Sequence, residues 1–253
     1  MSPKDTRLAG RRALVTGSTG GLGVAIAKAL AADGAFVVVS GRDKTRGDAV
    51  VADIRSAGGT GSFVAADLGA GGAAAHQLAD AAFEVAGGID ILVNNAATLL
   101  MPTPTADITE QELRDVFGVN VFAPFLLTGI LAPRMVAQGG GAIVNIGSIA
   151  GLRGASGSAV YSGNKAAIHS FTQSWADEYG PHGVRVNAVA PGPIGTERQA
   201  EFAEHIAPTL SRLPSRRVSS PEEVAAVVAF LAGDDAANIQ GAVLSVDGGW
   251  AAT

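Results

Sequence analysis

Short apolar runs recur along the chain, each followed by glycine or a polar cluster and then by a stretch with helical spacing. Residues 13–16 (ALVT), 35–40 (AFVVVS), 61–65, 89–93, 141–146 (GAIVNI), 184–190 and 241–246 read as seven strands. Unbroken runs of Val and Ile suit strands covered on both faces, as in a parallel sheet. Between them the spacing predicts helices over 24–32, from Asp43 to about 57, over 73–86, 108–136, 159 to about 179, and 224–231. Strand and helix alternate throughout, which is the pattern of an α/β fold. Gly87-Gly88, Pro181-His182-Gly183 and Pro191-Gly192-Pro193 punctuate the pattern, Asp107 or Thr109 caps the long fourth helix, and Ser220 with Pro221 starts the last one.

One region breaks the alternation. Residues 194–219 are irregular, with Phe202, Ile206, Leu210 and Leu213 spaced as on one face of a short helix, and read either as a lid over a site or as ordinary core packing. No repeat, linker or low-complexity segment divides the chain, so residues 1–253 are expected to form a single doubly wound domain.

Composition narrows the function classes. At 47% hydrophobic and 16% charged the 253 residues can bury a large core, and a net charge of −5 offers no basic field for nucleic acid. The absence of cysteine excludes disulfides and thiolate metal sites. The opening residues lack the apolar core of a signal peptide, and no run of about 18 apolar residues interrupts the chain. A soluble, cytoplasmic protein is the expectation, with neither membrane nor nucleic acid as partner.

Gly17 to Gly23 (GSTGGLG) lies between the first strand and the first helix. Glycines there let the backbone turn sharply and approach a pyrophosphate, whose charge is met by free N–H groups at the helix start. No Lys-Ser/Thr follows, so a P-loop is a poor match. The end of the second strand is where an acidic side chain would take an adenosine 2′-hydroxyl and a basic one a 2′-phosphate. This chain has Gly41 and then Arg42 there, with Asp43 next. Asp67 is either an acceptor for an adenine amino group or a helix cap, and Asn94-Asn95 are placed to support the crevice at the strand ends. Asn120, in the apolar part of the long helix, must find partners as a backbone clamp or as part of a polar relay.

The chemistry centres on Tyr161 and Lys165, four residues apart on one helix face. An ammonium about 4 Å from the phenol would favour the phenolate by roughly 4 kcal/mol at an effective dielectric near 20. That would lower the phenol pKa by about two or three units and make Tyr161 a proton donor and acceptor at neutral pH. Ser148 ends the fifth strand thirteen residues earlier, and a loop of small residues connects the two.

These motifs, in this order, resemble the short-chain dehydrogenase/reductase family, in its compact branch of about 250 residues, over nearly the whole chain. The family's TGxxxGxG appears as Thr16 to Gly23, its helix asparagine as Asn120, its serine as Ser148, its YxxxK as Tyr161 and Lys165, and its PG turn as Pro191-Gly192. Its NNAG reads Asn94-Asn95-Ala96-Ala97, so a methyl group stands where the family has none. The resemblance implies a Rossmann-type seven-stranded parallel sheet in order 3-2-1-4-5-6-7, helices on both faces, and a nicotinamide dinucleotide along the carboxyl ends of the strands. It implies that Tyr161 exchanges the proton with a carbonyl or alcohol oxygen, that Ser148 hydrogen-bonds that oxygen, that Lys165 tunes the phenol and binds the nicotinamide ribose, and that Asn120 holds a water leading to Lys165.

Cofactor contacts are expected at Gly17, Ser18, Gly21, Leu22 and Gly23, at Arg42, at Asp67 and Leu68, and at Asn94. Tyr161, Lys165, Pro191, Gly192, Ile194 and Thr196 complete that set. Arg42 without an acidic neighbour at position 41 points to NADP(H), with NAD(H) as the other dinucleotide. The expected activity is interconversion of a ketone or aldehyde with an alcohol; the alternative is a dinucleotide-binding sensor or scaffold without turnover. Leu99, Leu100, Met101, Leu152 and Val160 would form an apolar substrate wall, while Arg153, Arg198 and His205 would meet an anionic group or solvent. The apolar runs 116–127 and 166–175 leave surface for a partner copy, and the family arrangement implies a homotetramer.

Overall fold

The protein is described here by a computed structural model covering residues 7–197, 210–211 and 213–252. Seven strands form one parallel sheet in the order β3-β2-β1-β4-β5-β6-β7. They are β1 (Arg12–Val15), β2 (Phe36–Gly41), β3 (Thr60–Ala65), β4 (Ile91–Asn94), β5 (Gly141–Ile146), β6 (Val184–Pro191) and β7 (Val243–Val246). Each lies within two residues of its predicted position. Phe202 and Ile206, with half of the irregular stretch, lie outside the described residues.

Successive side chains of each strand feed two cores on opposite faces. Ala13 and Val15, Val37 and Val39, and Ile91 and Val93 pack with helices α1 (Gly21–Ala32), α2 (Lys44–Ser56) and α7 (Pro221–Ala232). Leu14, Val38 and Leu92 face the other way, against α3 (Gly72–Ala86), α5 (Ala123–Ala137) and α6 (Ala159–Tyr179). This double cover explains why the strands read as continuous apolar runs. At the amino ends of β1 and β4, Arg12 meets Asp90 through Nε and Nη2 at 2.7 and 2.8 Å, which ties the two strands together on the face remote from the glycine turn.

The predicted helix over 108–136 is present as one run, Glu110–Ala137, whose winding changes part-way. Thr109 caps α4 (Glu110–Phe117) reciprocally with Glu112, a wider π-turn follows at Gly118–Phe122, and α5 continues to Ala137. The insertion turns Asn120 inward, where it is buried. Residues 110–137 are long and apolar enough to cross a membrane by length and composition, yet Leu127, Leu131 and Met135 are fully buried against the sheet.

Candidate active site

Because every strand is parallel, the segments after β1, β2, β4, β5 and β6 emerge along one edge of the sheet. The glycine turn is stitched to the segment after β4. Thr16 Oγ1 accepts from the Asn95 and Ala96 N–H groups, both at 3.0 Å, and Asn95 Nδ2 donates to the Thr16 and Gly17 carbonyls at 2.8 and 3.1 Å. Gly17 has φ +64°, and a Cβ there would stand 2.8 Å from the Ala96 Cα; at Gly23 it would stand 2.3 Å from the Gly17 oxygen. Only glycine fits this crossing. The first turn of α1 has no side-chain cap, leaving its N–H groups for an anion such as a pyrophosphate. Thr196 lies beside this turn, its Cγ2 3.7 Å from where a Gly21 Cβ would be, and Pro191-Gly192 is held by the Gly192 N–H donating to the Val246 carbonyl at 3.0 Å. Ile194 is fixed by a parallel bridge to Ser219.

Several expected cofactor contacts have other engagements. Ser18 is buried: its hydroxyl donates to the Val15 carbonyl at 2.7 Å and accepts from the Ser40 N–H at 2.9 Å, while its own N–H donates to the Ser40 carbonyl. It joins β1 to β2 and presents no free group. Thr19, which the sequence reading passed over, is better placed, since a Cβ on Gly41 would come within 2.6 Å of its Oγ1. A hydroxyl and the exposed Arg42 therefore stand together at the end of β2. Asp43 caps α2 by accepting from the Arg46 N–H at 3.0 Å. Asp67 accepts from the Gly69 N–H at 3.0 Å, the capping role, while remaining exposed; Leu68 is buried in the core. The Asn94 side chain clasps β5, donating to Asn145 Oδ1 at 2.9 Å. Leu22 packs against the core as part of α1.

Ser148, Tyr161 and Lys165 converge where β5 ends and α6 begins. Ser148 Oγ accepts from the Ala150 N–H at 3.1 Å, and Ser148 neighbours the Tyr161 hydroxyl closely enough to favour its ionised form. Lys165 is buried; its Nζ donates to the Ile146 carbonyl at 2.8 Å and lies 5.9 Å from the centre of the Tyr161 ring. The expected lowering of the phenol is reversed. Burial raises the Tyr161 pKa above its ordinary value and outweighs the opposing influence of Ser148. The same burial lowers Lys165 to about 8, so the ammonium expected to stabilise the phenolate is itself strained by desolvation. Asn120 is a backbone clamp: its Oδ1 accepts from the Thr98 N–H at 2.7 Å, and its Nδ2 donates to the Thr98 carbonyl at 2.9 Å and to Asn164 Oδ1 at 3.3 Å.

Of the apolar wall, Met101 and Leu152 are exposed and Leu99, Leu100 and Val160 half-buried. Arg153 donates through Nη1 to the Trp250 carbonyl at 2.7 Å, tying the loop after Ser148 to the carboxyl-terminal turn. Arg198 and His205 lie outside the described residues. No group of three or more His, Cys, Asp or Glu side chains placed to hold a metal occurs among the described residues.

The family profile described as enoyl-(acyl carrier protein) reductase matches residues 17–251. The chain is 40% identical over 246 residues to a 3-oxoacyl-[acyl-carrier-protein] reductase of Synechocystis sp., covering 96% of this chain and 98% of that one. It is 38% identical over 255 residues to dehydrogenase/reductase SDR family member 4 of Homo sapiens, covering 98% and 90%. The chain belongs to the short-chain dehydrogenase/reductase family. Among solved structures, one described as an NAD(P)-dependent gluconate 5-dehydrogenase from Beutenbergia cavernae, with bound NADP, superimposes with a TM-score of 0.93 at 35% identity, covering 98% of this chain and all of that one. As a short-chain dehydrogenase/reductase the protein is an NAD(P)-dependent oxidoreductase, and the uncapped start of α1 beside the glycine turn suits the dinucleotide.

Proposed function

We propose that the protein interconverts a ketone or aldehyde and an alcohol, with Tyr161 as the general acid and base. The observation that carries this reading is the juxtaposition of Ser148 and Tyr161 at the sheet's carboxyl edge, with Lys165 buried one turn further along α6. When bound, the dinucleotide supplies or accepts the hydride. In reduction, negative charge builds on the substrate oxygen. Ser148 donates a hydrogen bond to it, and the Tyr161 O–H gives up its proton to it. In oxidation the phenolate takes that proton back. Lys165 holds positive charge near the phenol as it ionises, and Asn120 fixes the segment that begins the apolar wall by holding Thr98.

Gly17, Gly21 and Gly23 with the start of α1 would hold the pyrophosphate, Lys165 the nicotinamide ribose, and Thr196 with Pro191-Gly192 the nicotinamide side. Arg42, with the Thr19 hydroxyl beside Gly41, favours a 2′-phosphate and therefore NADP(H). The protein acts as a homotetramer in the cytoplasm on a small molecule.

The test is a panel of ketones, aldehydes and alcohols assayed with both dinucleotides in both directions, together with an enoyl thioester. Carbonyl reduction that is faster with NADPH and lost in Tyr161→Phe is the expected result. Turnover confined to the enoyl thioester, or retained in Tyr161→Phe, would sink the reading.

A further inference from the structure

Among the described residues His169 is the one buried histidine, and the proposed chemistry leaves it without a part. It stands on α6 one turn beyond Lys165 and two beyond Tyr161, on the same helix face. Its ring occupies a slot between the two ends of the turn after β5. A Cβ on Gly147 would stand 2.1 Å from His169 Nε2, and one on Gly151 2.7 Å from Cε1. Ser148 lies between those glycines, and its N–H donates to His169 Nε2 at 3.4 Å.

We propose that His169 is a positioning residue for Ser148: Nε2 accepts the Ser148 N–H, and the ring fills the slot between Gly147 and Gly151, fixing the backbone from which the Ser148 hydroxyl is presented. The inference rests on the reading of Ser148 as the donor to the substrate oxygen.

The electrostatics agree with an acceptor role. Burial, and secondarily the Lys165 ammonium, lower the imidazole to about 4, with the Gly151 backbone opposing weakly, so the ring is neutral where the enzyme works. With Nε2 accepting, the ring proton belongs on Nδ1, and the hydrogen bond that the Gly151 backbone offers the ring acts against the lowering. Leucine would fill a similar volume but offer no acceptor to the Ser148 N–H, so packing alone does not account for a histidine here. The glycines tell the same story from the other side, since a side chain at either position would displace the ring.

Two variants and one measurement on the unaltered protein test this. His169→Leu removes the acceptor and keeps the bulk, while His169→Gln restores an amide acceptor. His169→Leu should lower kcat by about 3- to 10-fold, the range of one lost hydrogen bond, with KM for NADPH unchanged. It should also move the alkaline apparent pKa of the oxidative rate upward, because a displaced Ser148 no longer opposes the raised phenol of Tyr161. His169→Gln should recover most of both effects. Wild-type kcat and pH profile in His169→Leu would overturn the proposal. So would equal losses in both variants with an unshifted profile and lower melting temperatures.

In wild-type protein with 15N-labelled histidine, the buried ring at pH 7 should show a protonated Nδ1 and an unprotonated Nε2. A protonated Nε2 removes the proposed contact even if no variant folds. Ser148→Ala separates the underlying reading from this one: wild-type kcat there defeats the role of Ser148 in catalysis, while the nitrogen measurement still decides whether His169 holds its backbone.

Discussion

Lys165 Nζ donates to the carbonyl oxygen of Ile146 at 2.8 Å, so the cation that follows Tyr161 by one helix turn is anchored to the end of β5. The phenol is left to Ser148, and burial dominates its acidity.

Tyr161→Phe keeps the ring packing and deletes only the hydroxyl. Steady-state assays should show kcat falling by about 10²- to 10⁴-fold, the usual worth of general acid–base participation. NADPH affinity, followed by fluorescence titration, should stay within about twofold. A variant turning over near the wild-type rate would mean that the proton comes from another group.

The lowered Lys165 pKa makes a prediction about stability in dinucleotide-free protein. Between about 8 and the ordinary 10.5, the unfolded chain keeps a proton on this lysine that the native state has released. More protons bound to the unfolded state mean that stability rises with pH in this window, while below it the full cost of the buried charge is present. Lys165→Met removes that cost, on the order of 3 kcal/mol for a shift of this size. The variant should therefore melt above wild type at pH 7, and the gap should narrow as pH approaches 10. A constant gap would show that the lysine is not desolvated as described.

Arg42→Ala should reduce kcat/KM with NADPH by about 10- to 150-fold, the worth of a charge-assisted hydrogen bond. The value with NADH should hardly change. Since Asp43 is engaged as the cap of α2, Asp43→Ala should weaken the helix and leave the cofactor ratio intact. An unaltered ratio in Arg42→Ala would remove the NADP(H) preference.

Phe122 and Phe125 are 58% and 49% exposed, and Phe125 packs edge-on against Phe171 at 5.3 Å and beside Trp175 at 5.8 Å. Such an aromatic patch across α5 and α6 suits a second copy of the chain. Light scattering at micromolar concentration should give a tetramer mass for wild type and a smaller species for Phe125→Glu. A monomeric wild type ends this prediction.

The strands were legible because double burial leaves a plain apolar run, and the cap at Ser220 because Pro221 and Glu223 follow it; the fourth helix left Asp107 and Thr109 as alternatives, of which Thr109, paired with Glu112, is the cap. Proximity of Tyr161 and Lys165 was legible in their spacing; the direction of the phenol shift was not. That direction depends on how much of the rest of the chain surrounds the pair, and on Ile146, nineteen residues upstream, as the partner of Lys165. The engagements of Ser18 and Asn94 were hidden for a related reason, since their partners Ser40 and Asn145 belong to neighbouring strands. His169 did carry a signal, being four residues after Lys165 on the same face, but only the slot between Gly147 and Gly151 gives that spacing a meaning.

The π-turn at Gly118–Phe122 takes up an extra residue in the helix. One extra residue kept in α geometry would rotate everything after it by about 100°, and a π-turn absorbs that residue within one wider turn instead. Removing a residue there would let the wide turn close to an α-turn with Phe125, Leu127 and Leu131 still facing as they do, and would be felt at Asn120, which the wide turn carries inward; removing one beyond it would instead rotate the rest of α5. A gap of one residue at this point in a related sequence is thus better understood as the closing of one turn, which leaves unchanged the surface of α5 that faces the sheet and the surface that faces a neighbouring molecule.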